Sequence, residues 1–503
     1  MDTNDKVMLF NSFEFAVFFL IVFVSYWSLA RKSVRAQNVL LLAASYVFYG
    51  WWSWRLLGLL IILSCANYLL GIALDKNRGD TRKKWVLAAG LTVNLGVLGI
   101  FKYFDFFIEG FVDLVSLFGY ELPRSTIKII LPVGISFYTF LSVSYLIDIY
   151  KRSITAHRDI VDVFLSLSFF PIILAGPIQR PSSLLPQISS RREFDYKMGI
   201  SGFWQVLWGL ATKVIVADNL AVLVDDIFTN SSRYPGSILL LGALFFSVQI
   251  YVDFSAYSNM SIGIARMLGF NLMRNFAYPY FSRDIVEFWK RWHISLTTWF
   301  RDYIFLPMSF NLAWRLKNEK VLFIRKDIFI YIVVSLTVWV LTGLWHGANY
   351  TFILWGLIHG LALIIFKLQI NPRKVLFKKL GISNKNKIVT GLDTLITLTV
   401  VIVAWVFFRA DSIKDAIEYL DRTFSITLFT LPKLVGIQNT DLLLSVLLAL
   451  TMFIVEWRNR HSENVFELIS TRSIYYQAAV FISLVAGIYL FSGEPLDFIY
   501  FKF

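Results

Sequence analysis

The sequence is poor in charge and nearly devoid of cysteine. Of its 503 residues only 16% are charged, where a soluble domain carries about 25%. That excludes a disordered chain and an ordinary water-soluble enzyme. The single cysteine, Cys65, excludes an internal disulfide and a multi-cysteine metal site. Inside the apolar run 59–70 it reads as a small buried hydrophobe. Several catalytic signatures are also missing. There is no Gly-x-x-x-x-Gly-Lys-Ser/Thr phosphate loop and no His-Glu-x-x-His zinc pair. A Gly-x-Ser-x-Gly nucleophile elbow is absent too, and no metal site is expected. The chain shows no repeat at a fixed period and no pair of matching halves, which counts against a repeat-built transporter. No basic n-region precedes the first apolar run, which follows Asp2, Asp5 and Glu14, so a cleaved signal peptide is not expected.

What the sequence has in abundance is apolar and aromatic surface. Hydrophobic residues make up 57%, with 47 Phe, 23 Tyr and 16 Trp. This is the composition of a polytopic membrane protein. A helical span needs about 20 mostly apolar residues. Runs of this kind lie near 14–30, 37–51, 54–74, 85–101, 129–149, 202–222, 237–260, 328–345, 350–367, 388–408, 442–457 and 475–492. The expected fold is therefore all-α, one membrane domain over 1–503, with about 11–13 transmembrane helices.

The net charge of +14 belongs to the loops. Arg31, Lys32 and Arg35 follow the first run; Lys76, Arg78, Arg82, Lys83 and Lys84 the third; Lys151, Arg152 and Arg158 the fifth. A further basic cluster, from Lys367 to Lys387, precedes the run at 388. Loops 102–128 and 223–236 are instead acidic. The basic loops are expected on the cytoplasmic side, with both termini outside. This accounts for the positive charge without nucleic acid. Two stretches depart from simple spans. Residues 161–178 are apolar but contain Pro171, Gly176 and Pro177, as in a re-entrant segment. Residues 264–326 carry eleven basic and four acidic residues and read as a long cytoplasmic or interfacial loop with a task of its own.

Three of the five histidines stand out, whereas His157 and His461 lie in polar, basic stretches and read as solvated. His293 lies in a segment, 281–303, whose residues Ile285, Phe288, Trp289, Trp292, Leu296, Trp299 and Phe300 fall on one helical face. Glu287 and Arg291 are four apart on the other side and can pair. The pattern predicts an amphipathic helix lying in the membrane interface. There His293 either positions the helix or aims a polar group at a cytoplasmic opening. His346, in Leu341-Thr-Gly-Leu-Trp-His-Gly-Ala-Asn-Tyr350, is an ionisable group at membrane depth, near the outer end of a span. A structural histidine at a helix junction is the alternative, but an imidazole that titrates near neutral pH favours function. Asn349 shares its face if the helix continues. His359 lies thirteen residues on, within Gly356-Leu-Ile-His-Gly360, and reads as a helix-packing residue. Asp148 and Asp253, near span ends, could orient a histidine, pair with a cation or cap a helix.

Trp292-His-Ile-Ser-Leu-Thr-Thr-Trp-Phe-Arg-Asp-Tyr303 together with Gly343-Leu-Trp-His-Gly-Ala-Asn349 resembles the membrane-bound O-acyltransferase (MBOAT) family. The likeness is strongest to its bacterial polysaccharide branch, the type of the alginate O-acetyltransferase membrane subunit. Pro132-Val-Gly-Ile-Ser-Phe-Tyr-Thr-Phe140, Phe170-Pro171, Ala175-Gly-Pro-Ile-Gln-Arg180, Tyr251-Val-Asp-Phe-Ser255, Trp405-Val-Phe-Phe-Arg-Ala410 and Phe498-Ile-Tyr-Phe-Lys-Phe503 also fit. One departure is Asn259, where the resemblance implies an aspartate after the serine.

The resemblance implies acyl transfer to a hydroxyl, with His346 as the essential catalytic residue and His293 as the second polar position. Trp345, Asn349, Trp292, Arg301, Asp302 and Arg180 lie within its motifs and are candidates for substrate or donor binding. It implies acetyl-CoA as the donor and no permanently bound cofactor. It further implies a bacterial inner-membrane location, an exported polysaccharide as acceptor and a separate extracytoplasmic acyltransferase of the secreted hydrolase-like type as partner. Two other functions fit less well. One is D-alanyl transfer to teichoic acid, which the match at the chain ends disfavours. The other is a flippase of lipid-linked glycan, which the missing repeats disfavour.

Overall fold

The computed structural model describes residues 7–76, 79–120, 131–383, 386–430, 439–460, 465–493, 496, 498 and 499. His461 and the closing residues 500–503 lie outside them. All twelve apolar runs are helical over their described cores, and the only strands among the described residues are two of two residues each. Side-chain caps begin several helices. Ser12 Oγ accepts the Phe15 N–H at 3.1 Å and Asn386 Oδ1 accepts the Ile388 N–H at 2.9 Å, satisfying donors that a helix start leaves unpaired.

Among the described residues eight helices are long and apolar enough to cross a membrane: Trp54–Lys76, Asp80–Ser116, Tyr196–Thr229, Gly236–Met267, Lys326–His346, Tyr350–Lys379, Lys387–Arg409 and Ile474–Phe491. Phe13–Ser28, Ile135–Tyr150 and Ile160–Ile173 are apolar but shorter. The chain is thus an all-α polytopic membrane protein. Several expected loops are helix. Asp80–Ser116 continues through the first half of 102–128, and Tyr350–Lys379 carries Lys367, Arg373, Lys374, Lys378 and Lys379. An apolar window ends where charge begins, whereas backbone hydrogen bonding continues past that point. Cys65, on helix Trp54–Lys76, is exposed, not buried. Within an all-apolar span, composition does not say which side faces the protein.

The chain folds as two compact units. The first comprises 1–210, 257–273 and 464–481. Here the spans Trp54–Lys76 and Asp80–Ser116 are joined by a reciprocal amide pair, Asn67 and Asn94, at 2.9 and 3.0 Å. Each amide thereby finds in protein the partner that lipid cannot offer. The stretch 161–178 is a broken, buried pair of helices, Ile160–Ser168 and Phe170–Ile173. Protein covers the backbone groups freed at the break: the Phe170 N–H donates to Ser45 Oγ at 3.0 Å, and Ser261 Oγ donates to the Pro171 carbonyl. This is the condition for a re-entrant segment at membrane depth. Gly134 allows the closest approach, since a Cβ there would lie 2.1 Å from the Ile173 carbonyl oxygen. His157 is not simply solvated. Its Nε2 is 2.8 Å from Ser189 Oγ and its Nδ1 3.6 Å from Asp162.

The second unit comprises 211–256, 274–463 and 482–503. At its centre Lys326–His346 and Tyr350–Lys379 pack through glycine. A Cβ on Gly343 would sit 2.2 Å from the Phe352 carbonyl oxygen, and one on Gly356 2.2 Å from that of Trp339. The segment 264–326 is not a loop. Within this unit it holds helices Ile285–Arg291, Ile294–Phe300 and Leu306–Arg315 and a hairpin of strands Lys320–Val321 and Ile324–Arg325.

Candidate active site

The expected helix over 281–303 is broken at His293, whose φ is +41°. Asp284 caps the first piece, its Oδ1 accepting the Glu287 N–H at 2.8 Å. The Glu287–Arg291 pair forms as the spacing predicts, at 2.6 Å. The Trp-rich face, however, is covered by protein. Phe288, Trp289, Trp292, Leu296, Trp299 and Phe300 are all buried in the second unit. Trp292 meets Trp405 at 5.0 Å, Phe276 at 5.2 Å and Tyr251 at 5.9 Å. A helical wheel shows an apolar face but not whether lipid or protein covers it. Buried this way, Trp292 is a packing residue.

The turn places His293 in the interior, fully buried against Phe254 at 4.7 Å and Trp345 at 5.8 Å. Asn275 Oδ1 lies 3.0 Å from His293 Nδ1 and also accepts from the Ser295 N–H at 3.3 Å and Ser295 Oγ at 2.9 Å. An acceptor opposite Nδ1 puts the proton on that nitrogen. Nε2 is left as the basic nitrogen, buried and without a hydrogen-bond partner among the described residues. Burial disfavours the imidazolium and holds the pKa well below its ordinary 6.5, at about 3. The Asn275 hub was not visible in the sequence, because eighteen residues and a chain reversal separate it from His293.

His346 is the last residue of its helix. Gly347, in extended backbone, ends the helix, and Asn349 caps the next one. Asn349 therefore does not share a helical face with His346. Its Oδ1 accepts the Thr351 N–H at 3.0 Å and its Nδ2 donates to the Asp411 carbonyl at 2.9 Å. The His346 ring is buried among Trp345, Trp355 and Phe408 at 4.7, 4.8 and 5.2 Å. Trp345 thus touches both histidines, His293 at 5.8 Å and His346 at 4.7 Å. The residues just after His346, Gly347 to Asn349, line a cavity of about 390 Å³ together with Asp225, Gln249, Phe352, Arg409 and Ile499.

The other candidates lie elsewhere. Arg301 and Asp302 pair with each other at 2.7 Å in a π-helical turn, Arg301–Phe305. Arg301 lines a second cavity of about 240 Å³ with Lys290, Trp289, Tyr331 and Trp339. Arg180 belongs to the first unit, at the start of helix Pro181–Ser189. His359 is a packing residue. It is fully buried, and its Nδ1 accepts from Trp289 Nε1 at 3.4 Å. Gly356 and Gly360 beside it fit against Trp339. Asp253 pairs with a lysine, not a histidine: its Oδ1 is 2.8 Å from Lys213 Nζ, and its Oδ2 accepts the Ile499 N–H at 2.8 Å. Asp148 is buried in the first unit. No cluster of metal ligands occurs among the described residues.

Fold and site together define a many-span helical membrane protein with a buried histidine at a glycine-broken junction beside a cavity. The membrane-bound O-acyltransferase family matches residues 47–383, and the chain belongs to that family; it is an acyltransferase. It is 36% identical to the probable alginate O-acetylase AlgI of Pseudomonas aeruginosa, over 88% of this chain and 80% of that protein. Its identity to the peptidoglycan O-acetyltransferase of Helicobacter pylori is 32%, over 82% and 79%. The teichoic acid D-alanyltransferase of Bacillus subtilis is 26% identical over 46% of this chain and 58% of its own length.

Proposed function

We propose that this protein takes an acetyl group from cytoplasmic acetyl-CoA and passes it across the bacterial inner membrane for O-acetylation of an exported polysaccharide. A separate extracytoplasmic acyltransferase completes the transfer. The observation that carries this reading is the likeness, over most of the chain, to proteins named for acetylating alginate and peptidoglycan. Identity to the teichoic acid D-alanyltransferases is lower, 26% and 23%, which favours acetyl over D-alanyl transfer.

His346 is the base in this reading. Its ring nitrogen takes the proton of a hydroxyl while that oxygen bonds to the thioester carbonyl carbon. The CoA thiolate leaves and receives the proton. Trp345 and Trp355 hold the ring. The cations Lys290 and Arg301, on the second cavity, have the charge that CoA phosphates require. His293, held by Asn275, positions Trp345 beside His346. A covalent acyl-histidine relay is the rival route. A hydroxylamine-labile acetyl label on His346 after quenching would establish it.

The test is His346→Ala at normal protein abundance. Polymer acetyl esters should be lost while polymer export continues. Loss of the polymer itself would instead identify a flippase, and retention of full acetylation would remove His346 from the chemistry. His293→Ala should lower acetylation less than His346→Ala; equal and complete loss would place His293 among the catalytic groups.

A further inference from the structure

Many exposed apolar side chains of the described residues lie on spans, where lipid accounts for them. Those of residues 306–323 do not. The short helix Leu306–Arg315 continues Ile294–Phe300 through the π turn Arg301–Phe305, and this combined helix is not among the described helices apolar enough to cross a membrane. It nonetheless exposes Leu306, Phe310 and Trp314, spaced four apart on one face, with Trp314 84% exposed. The hairpin after it has Leu322 and Phe323 at its tip, 75% and 101% exposed. Both tip residues have positive φ, +48° and +66°. That two-residue turn normally takes Asn-Gly, because a Cβ at positive φ is strained. Here two bulky apolar residues occupy it.

The same segment is basic. Arg315, Lys317, Lys320, Arg325 and Lys326 face Glu319 and Asp327. Lys320 and Arg325 are direct cross-strand partners, and like charges so placed repel unless an anion lies against them. Asp327 pairs with Arg325 at 3.0 Å, but both are well exposed, so the pair screens little. Lys326 Nζ donates to the Leu316 carbonyl, closing the hairpin onto the end of the short helix. Arg325 directly precedes the span Lys326–His346, so the hairpin adjoins the point where the chain meets the bilayer.

We infer that the short helix and hairpin, residues 306–325, form an interfacial anchor for anionic phospholipid. Phe310, Trp314, Leu322 and Phe323 enter the acyl boundary, and Arg315, Lys317, Lys320 and Arg325 take the headgroup phosphates. Apolar side chains beside cations match a charged lipid surface. The anchor follows directly on the π-helical turn whose Arg301 lines the second cavity, but it does not depend on the chemistry proposed above.

The experiment uses the full chain with Cys65→Ser. A Phe323→Cys variant carries an environment-sensitive fluorophore in nanodiscs of phosphatidylcholine alone, or of an equal mixture with phosphatidylglycerol. The exposed polar position Glu193→Cys serves as control. In the mixture the probe at 323 should shift to the blue, be quenched by doxyl lipid and be shielded from iodide relative to position 193. Each of Lys317→Gln and Lys320→Gln should weaken phosphatidylglycerol binding about fivefold, the equivalent of ~1 kcal/mol per cation at a charged surface. Iodide access at 323 equal to that at 193 in both lipids would overturn the anchor and leave a protein partner as the occupant. Insertion that does not change with phosphatidylglycerol or with the lysine variants would overturn headgroup binding.

Discussion

The two histidines of the site are buried for different reasons, and this makes them separable by experiment. His293 sits in a left-handed turn with Nδ1 against Asn275. Its folded pKa, about 3, lies below the ordinary 6.5. The unfolded chain therefore binds the extra proton between these values, and stability falls as pH drops below about 6.5 toward 3. The apparent Tm in detergent should fall from pH 7 to pH 5, and His293→Gln should flatten part of that fall. An unchanged slope in the variant would mean that His293 is not held neutral. His346 could be singled out in the sequence because an ionisable side chain between two apolar runs is costly unless it is used or paired. Its neighbours could not be. Phe408 is sixty-two residues away in sequence, and Asn349, three residues away, serves as a cap because Gly347 breaks the helix.

At the scale of elements, helix periodicity located every apolar run but could not say what covered it. The segment 281–303 shows this most clearly. Its apolar face is real, yet the turn at His293 folds that face into the protein, and the lipid-facing candidate is the next short helix, Leu306–Arg315. Glycines, by contrast, read well. Gly356-x-x-x-Gly360 marked a close helix contact, and the helix Lys326–His346 makes it. Gly356→Ala should cost ~1–3 kcal/mol, the range for overpacking a tight contact, because the Trp339 backbone cannot yield. Gly391→Ala, with no atom within 4 Å of its Cβ, should leave Tm unchanged or raise it. Equal effects at the two positions, measured by thermal inactivation in detergent, would refute the packing argument.

At the scale of the whole molecule, buried charge is the costliest feature, and one buried set among the described residues is closely paired. Lys213 Nζ reaches Asp218 at 2.7 Å and Asp253 at 2.8 Å, and Asp253 also holds the Ile499 N–H. Lys213→Met would leave two carboxylates facing each other, at a cost of about 3–5 kcal/mol for a broken buried pair. Adding Asp218→Asn and Asp253→Asn should recover most of it, read as Tm of the purified protein. A Lys213→Met variant as stable as the parent would show that the three groups are not coupled.

The sequence by itself determined that the chain is helical and membrane-spanning, that it belongs to the acyltransferase family, and that Gly356 and Gly360 mark a close helix contact. These follow from composition, local spacing and the cost of charge in lipid, all of which act over a few residues. The break at His293, the Asn275 hub, the Lys213 triad and the cavity beside Gly347 were decided only by tertiary structure. Each depends on groups far apart in sequence that meet because burial leaves a polar atom no other partner.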